Sequence, residues 1–336
     1  MIAALGEWMK RRDFIVAGGA TVAWPLAAGA RQPAMPVIGV LLGMSESNPE
    51  HRSFFDAFIE ELTRLGWKDG RTARIEQRWA NADSTRRGAF TTELVALRPD
   101  VILSSSTPVT AALQRETSII PIVFTLVSDP VGAGFVASLP RPGGNITGFS
   151  ESDPALGGKW LSLLREAVPG LKRVATMFNP DTAPGHGRFF MPSFEAAAHS
   201  LAIEPVALPV RSDAEMEAGI AALGRERGGL VIGDDIFMAV HYRTALSATA
   251  RNNVPAIAFT PQFGKDGGLM AYNSVITDQF RGAAGYVGRI LHGEKPSDLP
   301  VQMPAKFSMI INLKTAKAFG LNISPGLLAT ADEVIE

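Results

Sequence analysis

The stretch PIVFTLVSDPVGAGFVASLPRPGGNITG, Pro121 to Gly148, joins an apolar run to a segment rich in glycine and proline. Within it, Gly132-Ala133-Gly134 and Ala137 match the G-x-G-x-x-G/A spacing of a dinucleotide-binding turn. The stretch therefore poses a choice between a cofactor loop and the edge of a pocket that holds another kind of molecule. That choice decides which α/β fold the rest of the chain builds.

The position of these glycines in the chain argues against a cofactor loop. In a dinucleotide-binding fold the first glycine follows the first strand directly. Here Ser128–Val131 intervene, and the preceding strand is the fourth that the sequence predicts. The next acid, Glu151, lies beyond the turn Pro142–Gly144 instead of ending a second strand. We therefore predict a short helix over Gly132–Leu139, with Asp129 at the edge of a cleft and a crossing between two lobes after Gly148.

Upstream of this stretch, short apolar runs alternate with amphipathic segments. Regular alternation of strands and helices is typical of a parallel sheet that helices cover on both faces. The predicted strands are 37–42, 73–79, 100–104 and 120–127, and the predicted helices cover 54–62, 85–97 and a segment that begins at Pro108.

The same alternation starts again after Gly144, so we predict an α/β fold of two doubly wound parallel-sheet lobes. Near the end, a helix over Gln279–Leu291 carries small residues at 282–285 that indicate a close neighbour. Leu299–Pro304 fits an edge or crossover strand, since its prolines exclude a central one. The predicted strands of the second half are 173–178, 204–210, 229–233, 256–260 and 268–272, and the helices are 155–167, 194–201, 213–223 and 237–251.

The first 30 residues have the pattern of a twin-arginine export signal. Lys10-Arg11-Arg12 precedes a modestly apolar segment, and Ala28-Gly29-Ala30 is a small-residue cleavage site. An amphipathic first helix is the weaker alternative, because Gly18-Gly19 and Trp24-Pro25 interrupt it. We expect export to the periplasm of a protein that does not itself span the membrane.

Composition excludes several classes of function. The chain is 46% hydrophobic with a formal net charge of −1, so it lacks the basic surface that a nucleic-acid partner requires. It has no cysteine, and its five histidines show no metal-ligand spacing. We expect no metal, no cofactor and no nucleic-acid partner.

Candidate binding residues follow the predicted strands, because ligands of open α/β sheets lie beyond the carboxyl ends of the strands. Ser104–Thr107 precedes Pro108 and can cradle a carboxylate, although N-capping uses the same geometry. In Asp234-Asp235 one carboxylate can meet a ligand while the other caps a helix, and spacing does not decide which. No nucleophile and base are paired, so we predict no catalytic residue. The candidates are Met44, Ser45, Ser105, Ser106, Thr107, Thr125, Asp129, Asn179, Thr182, Asp234, Thr260 and Tyr272.

Several motifs together resemble the periplasmic solute-binding proteins of ABC importers, in the subgroup that includes tryptophan and tyrosine transport. SDPVGAGFVASLPRPGGNITG at 128–148 is the most specific of them. The others are VIGVLLG at 37–43, the Ser-Thr-Pro turn at 106–108, Asn179-Pro180, and INLKTAKAFGLNISPGLLATADEVIE at 311–336.

This resemblance implies a type I periplasmic-binding fold, with two lobes that close over a small solute. It places residues 36–148 and 275–293 in lobe 1, and residues 149–274 and 297–336 in lobe 2. It implies hydroxyl donors from Ser105, Ser106 and Thr107 to a ligand carboxylate, and an acid, Asp129 or Asp234, for the amine. An ABC permease in the inner membrane is the expected partner of a monomer.

We therefore expect a non-catalytic protein that captures an amino acid or a related small carboxylate by hinge closure, with aromatic solutes among the candidates. Two alternatives remain open from the sequence. An exported oxidoreductase with a bound cofactor would also use a twin-arginine signal. A periplasmic sensor domain would share the fold and differ only in its partner.

Overall fold

A computed structural model describes residues 35–81 and 83–336 of the chain. The predicted export signal, residues 1–30, lies outside the described residues. Within the described part, no helix combines the length and the apolar character needed to cross a membrane.

The first lobe is built on a five-stranded parallel sheet with the order β2-β1-β3-β4-β5. The sequence VIGVLL forms β1, an interior strand between β2 and β3, with five of six residues buried, since helices cover both faces. The first helix begins where the side chain of Asn48 accepts hydrogen bonds from the N–H groups of Glu50 and His51. The elements are β1 (Val37–Leu42), α1 (Pro49–Arg64), β2 (Arg74–Trp79), α2 (Ser84–Ala96), β3 (Val101–Ser105), α3 (Thr107–Glu116), β4 (Ile122–Val127) and β5 (Ile146–Ser150).

The chain that follows β5 forms the seven-stranded sheet of the second lobe and also supplies one helix to the first lobe. The elements are α4 (Leu156–Ala167), β6 (Arg173–Phe178), α5 (Met191–Ser200), β7 (Glu204–Pro209), α6 (Asp213–Arg225), β8 (Gly229–Ile232), α7 (Ile236–Val240), α8 (Tyr242–Arg251), β9 (Ala256–Ala258), α9 (Pro261–Lys265), β10 (Met270–Ser274), α10 (Ile276–Leu291), β11 (Phe307–Asn312), α11 (Leu313–Ala318), α12 (Pro325–Leu328) and β12 (Glu333–Ile335).

This second sheet has the order β12-β11-β10-β9-β8-β6-β7, and one of its neighbouring pairs is antiparallel. The sequence predicts parallel strands and does not identify β11. The reason lies in the path of the chain: after β10 the chain leaves for the first lobe as α10, and it returns at the same edge of the sheet. Strand β11 therefore runs back beside β10, and β12 pairs parallel to β11.

Helix α10 packs on the first lobe, against α1 and strands β3, β4 and β5. Its residues Phe280, Ala283, Ala284 and Val287 are fully buried in the core that α1 and β1 also line. The prediction of a close neighbour is confirmed at Gly282, where an added Cβ would lie 2.3 Å from the ring of Phe149.

Three chain segments cross between the lobes, and hydrogen bonds join them to one another. The N–H of Ser150 donates to the carbonyl of Gln302 at 2.8 Å, which links the first segment to the third. The hydroxyl of Ser274 donates to the carbonyl of Glu151 at 2.8 Å, which links the second to the first. The N–H of Val275 donates to the carbonyl of Lys306 at 3.0 Å. We call these three linked segments the hinge.

Some predicted elements are wrong. Residues 132–139 form turns and bends instead of a helix, because Asp129 accepts a hydrogen bond from the N–H of Gly132 and closes a turn there. Leu299–Pro304 does not form a strand of either sheet. A single isolated bridge, between Gln302 and Phe149, pairs this segment with β5. The helix predicted over 237–251 is two helices that meet at His241.

Candidate functional site

The run Ser104–Thr107 covers the end of β3 and the start of α3, and two of its four side chains are held inside the lobe while two are accessible. Ser104 and Ser105 are fully buried. The hydroxyl of Ser104 pairs with that of Thr110 at 2.8 Å, and the hydroxyl of Ser105 accepts from the N–H of Gly43 at 3.1 Å. Both hydroxyls therefore hold neighbouring elements of the first lobe together. Ser106 is half-buried and Thr107 is exposed.

Ser106 has an unusual backbone conformation at the start of α3. Its φ of 88° and ψ of 149° lie in a region that glycine favours, and its side chain makes no capping hydrogen bond. Such a conformation costs about 1–3 kcal/mol, and strain of this kind concentrates at functional sites. The first turn of α3 leaves its N–H groups directed outwards beside this hydroxyl, which is suitable for an anion.

Met44, Ser45 and Thr125 lie beside this turn. Met44 packs against the core of the first lobe. The hydroxyl of Ser45 pairs with that of Ser47 at 2.9 Å. Thr125 is fully buried and donates to the carbonyl of Ser104 at 3.3 Å. Of these three side chains, that of Thr125 is fully buried within the first lobe and is not accessible to a ligand.

The three candidate aspartates have different surroundings. Asp129 accepts from the N–H of Gly132 at 2.7 Å and shapes the turn after β4. Asp235 is buried and accepts three hydrogen bonds: from the N–H of Asn179 at 2.6 Å, the hydroxyl of Thr182 at 2.5 Å and the N–H of Phe237 at 2.8 Å. Asp235 thus caps α7, and together with Asn179 and Thr182 it forms a structural cluster.

Asp234 joins the two lobes. Its Oδ2 accepts a hydrogen bond at 2.7 Å from the hydroxyl of Ser128, which follows β4 in the first lobe. The same oxygen accepts from the hydroxyl of Ser152, which lies on the first crossing segment. Asp234 itself follows β8 of the second lobe, so its carboxylate lies where the strand ends of both lobes meet.

Glu151 directly precedes Ser152 in the chain, and its carboxyl is close enough to that of Asp234 for the two charges to repel each other. Burial, and secondarily the charge of Asp234, raise the pKa of Glu151 well above its ordinary value. Burial raises the pKa of Asp234 too, against the lowering effect of the hydroxyls of Ser152 and Ser128. Within residues 35–81 and 83–336, neither carboxylate forms an ion pair with lysine, arginine or histidine.

The side chains of Thr260 and Tyr272 form no hydrogen bond with the other candidate residues. Thr260 precedes α9 and makes no side-chain cap. The ring of Tyr272 stacks on that of Phe307, with centroids 5.3 Å apart and planes 9° apart, and it packs against the core of the second lobe. Its environment therefore resembles that of a core aromatic.

The structure thus brings Asp234 together with Ser128, Glu151 and Ser152. None of these three is among the binding residues predicted from the sequence. Their signal in the sequence is positional. Ser128 directly follows a strand, and Glu151-Ser152 opens the segment predicted to cross between lobes. Candidates taken only from the ends of the predicted sheet strands leave out residues on the segment that crosses between the lobes.

A separate surface groove of about 680 Å³ lies elsewhere on the second lobe. Leu171, Arg227, Asn253 and Phe319 are among its lining residues. Three of these four positions precede β6, β8 and β9, so the groove borders the amino ends of the strands. Ligands of such sheets bind at the carboxyl ends, where Asp234 lies.

Comparison with known proteins agrees with this architecture. A tyrosine-binding protein of Clostridioides difficile (strain R20291) is 28% identical over 276 residues, which cover 81% of this chain and 79% of that protein. A ligand-free, open substrate-binding protein with adhesive properties from Clostridium difficile has a TM-score of 0.75 at 25% identity, covering 89% of this chain and 99% of the other.

Two further solved structures share the fold. An ABC domain in complex with L-Trp from Streptococcus pneumonia has a TM-score of 0.78 at 24% identity, covering 89% of this chain and 99% of the other. A periplasmic binding ribose operon repressor from Lactobacillus acidophilus has a TM-score of 0.56 at 12% identity, covering 80% and 94%. The two-lobed α/β architecture is that of type I periplasmic binding proteins.

The sequence profile described as "ABC transporter substrate binding protein" matches residues 38–335, which include both sheets and the hinge. The chain belongs to the ABC transporter substrate-binding protein family.

Proposed function

We propose that this protein captures an aromatic L-amino acid, tyrosine or tryptophan, between its lobes and delivers it to an ABC permease in the inner membrane. The observation that carries the proposal is the carboxylate of Asp234, which lies between the lobes and has no ion-pair partner among the described residues. A ligand ammonium would supply the missing charge. The names of the relatives that bind tyrosine and L-Trp support the choice of side chain.

The contacts of the three aspartates favour Asp234 as the acid that meets the amine. Asp129 is engaged in a turn, and Asp235 already accepts three hydrogen bonds. For the ligand carboxylate, Ser106 and Thr107 are the available donors of the serine run, since Ser104 and Ser105 are buried and bonded internally. Together these residues offer an acid and a set of donors, as an amino acid requires.

The proposed mechanism is lobe closure without catalysis. A ligand that contacts both lobes shifts the equilibrium towards a closed form by its difference in affinity for the two forms. We assign residues 36–148 and 275–293 to lobe 1, and residues 149–274 and 297–336 to lobe 2. The membership of α10 in the first core and of β11 and β12 in the second sheet supports this division.

Export by the twin-arginine route to the periplasm, and function there as a monomer, complete the proposal. The motif at Lys10–Arg12 supports the route. Family membership supports a permease as the partner.

Isothermal titration calorimetry with L-tyrosine and L-tryptophan tests the proposal, with D-ribose and myo-inositol as unrelated solutes. We expect binding of an aromatic amino acid and none of the sugars or polyols. A thermal-shift assay gives a second readout, because a ligand that binds only the folded chain raises its Tm. Absence of binding by every amino acid tested would overturn the proposal.

A matched pair of variants tests the assigned acid. Asp234→Asn should weaken binding of the amino acid by at least about tenfold, which corresponds to about 1.4 kcal/mol. Asp266→Asn changes an exposed aspartate on the second lobe and should leave affinity unchanged. Equal affinities in the two variants would remove Asp234 from the site.

A further inference from the structure

The strongest feature that ligand capture leaves unexplained is a titratable carboxyl inside the hinge. Glu151 is the first residue after β5, and its carbonyl accepts from the hydroxyl of Ser274 on the second crossing segment. Any rotation of one lobe against the other must move this residue, because its backbone links two of the three crossing segments. Its ionisation is therefore positioned to act on the relative placement of the lobes.

A hydrogen bond between the lobes lies next to this carboxyl. Ser128 of the first lobe donates to Asp234 of the second at 2.7 Å, across 106 positions of sequence. Ser152 adds a second donor from the crossing segment. Separation of the lobes must break the contact of Ser128, whereas the contact of Ser152 lies within the hinge itself.

Among the described residues, the charged group that acts on the Glu151 carboxyl is acidic. Asp234 faces it from the end of β8, and Asp235 follows Asp234 with its own carboxylate fully engaged. The neighbouring polar side chains around Ser274 are amides: Asn273 and Gln279, both buried, direct their N–H groups to Ser274. Their side-chain carbonyl oxygens accept no hydrogen bond from any residue in 35–81 or 83–336.

We propose that the Ser128–Asp234 hydrogen bond is a latch between the lobes that the proton on Glu151 controls, so that the lobes separate more readily as pH rises. When Glu151 is protonated, Asp234 can keep its charge and its two hydroxyl donors without a like charge beside it. When Glu151 ionises, repulsion between the two carboxylates acts across the latch.

The direction of the pH effect follows from linkage. The pKa of Glu151 is raised in the latched form by burial and by Asp234. Glu151 is half-buried in this structure. Once the lobes separate, its carboxyl gains further contact with water and moves away from Asp234, so its pKa returns towards the ordinary value. The latched form therefore binds more protons and gains population as pH falls.

Distances between the lobes of the ligand-free protein test the latch. The chain has no cysteine, so Thr92→Cys on α2 and Ser247→Cys on α8, both at exposed positions, provide two unique sites for spin labels. Double electron–electron resonance is then recorded at about pH 5 and about pH 8. We expect the distance distribution to shift to longer values at the higher pH.

Three variants in the labelled background separate the contributions. Glu151→Gln should keep the short distance at both pH values, and Ser128→Ala should give the long distance at both. Glu166→Gln, an exposed glutamate on α4, is the control and should behave like the unmodified sequence. If Ser128→Ala does not fold, the comparison of Glu151→Gln with Glu166→Gln still decides the question.

Identical distributions at both pH values in the unmodified sequence, or a shift that persists in Glu151→Gln, would overturn the latch. Because no amino acid is present, this outcome is independent of whether tyrosine or tryptophan binds.

Discussion

The hydroxyl of Thr182 donates a hydrogen bond of 2.5 Å to Oδ1 of Asp235, and this contact ties the loop after β6 to the start of α7. Replacement of Asp235 by alanine leaves the N–H groups of Asn179 and Phe237 without their acceptor. Since unsatisfied buried donors are costly, we expect Asp235→Ala to lower the free energy of unfolding by about 3 kcal/mol. Urea titration followed by circular dichroism measures the change.

Asp181→Asn is the control for this experiment. Asp181 is exposed, and its ion pair with Arg211 spans 3.2 Å at the surface. Surface pairs of this kind contribute about 0–1 kcal/mol. A loss in Asp235→Ala no larger than that in Asp181→Asn would show that the cluster around Asp235 does not stabilise the second lobe.

Ser106 allows stability and binding to be separated. Ser106→Gly removes both the strain of a positive φ and the hydroxyl, so we expect the protein to gain about 1 kcal/mol in the free energy of unfolding while its affinity for the amino acid falls. Ser106→Ala keeps the strain and loses only the hydroxyl. It should show the lower affinity without the gain in stability, as measured by calorimetry and urea unfolding. Unchanged affinity in both variants would exclude the Ser106 hydroxyl as a donor.

Two glycines three positions apart on α10 should respond in opposite directions to alanine. At Gly282 the new Cβ would lie 2.3 Å from the ring of Phe149, whereas at Gly285 it would meet no atom within 4 Å. Gly282→Ala should therefore destabilise the protein by about 1–3 kcal/mol through overpacking. Gly285→Ala should stabilise it by up to about 1 kcal/mol through helix propensity. Thermal unfolding of the two variants, side by side, gives both signs.

The carboxyl of Glu151 should give the folded protein a measurable pH dependence. Its pKa in the folded chain lies above the ordinary value of 4.5. Between these two values the folded chain holds a proton that the unfolded chain has lost, so the free energy of unfolding falls as pH rises through the interval. Glu151→Gln should flatten this part of the curve and be more stable than the unmodified sequence above it. Glu166→Gln should retain the slope.

The sequence alone predicts the two-lobed α/β fold because buried strands such as VIGVLL and amphipathic helices have strong periodic patterns. It misses β11, whose direction depends on where the chain returns from α10. It also predicts a helix after Pro130, where the side chain of Asp129 closes a turn instead. Local pattern does not contain these tertiary and side-chain contacts.

The site shows the same limit. Strand ends identify Asp234 and the serine run, because the topology of parallel sheets fixes where they lie. The roles of Asp129, Asp234 and Asp235 differ only through hydrogen-bond partners that are distant in sequence, such as Ser128 for Asp234. The sequence pattern does not identify Glu151 and Ser152 as site residues, because they lie on a crossing segment whose position depends on how the two lobes assemble.

The interleaved path of the chain has a consequence for biosynthesis. The first lobe lacks the buried face of α10 until residue 291 has been made, and the second lacks β11 and β12 until residue 335. Successive independent domains fold one after another as they leave the ribosome. In this chain, by contrast, both lobes complete their native cores late in synthesis. Synthesis of nearly the whole chain must therefore precede completion of either core, and both lobes are complete before the twin-arginine route proposed above carries the folded protein across the membrane.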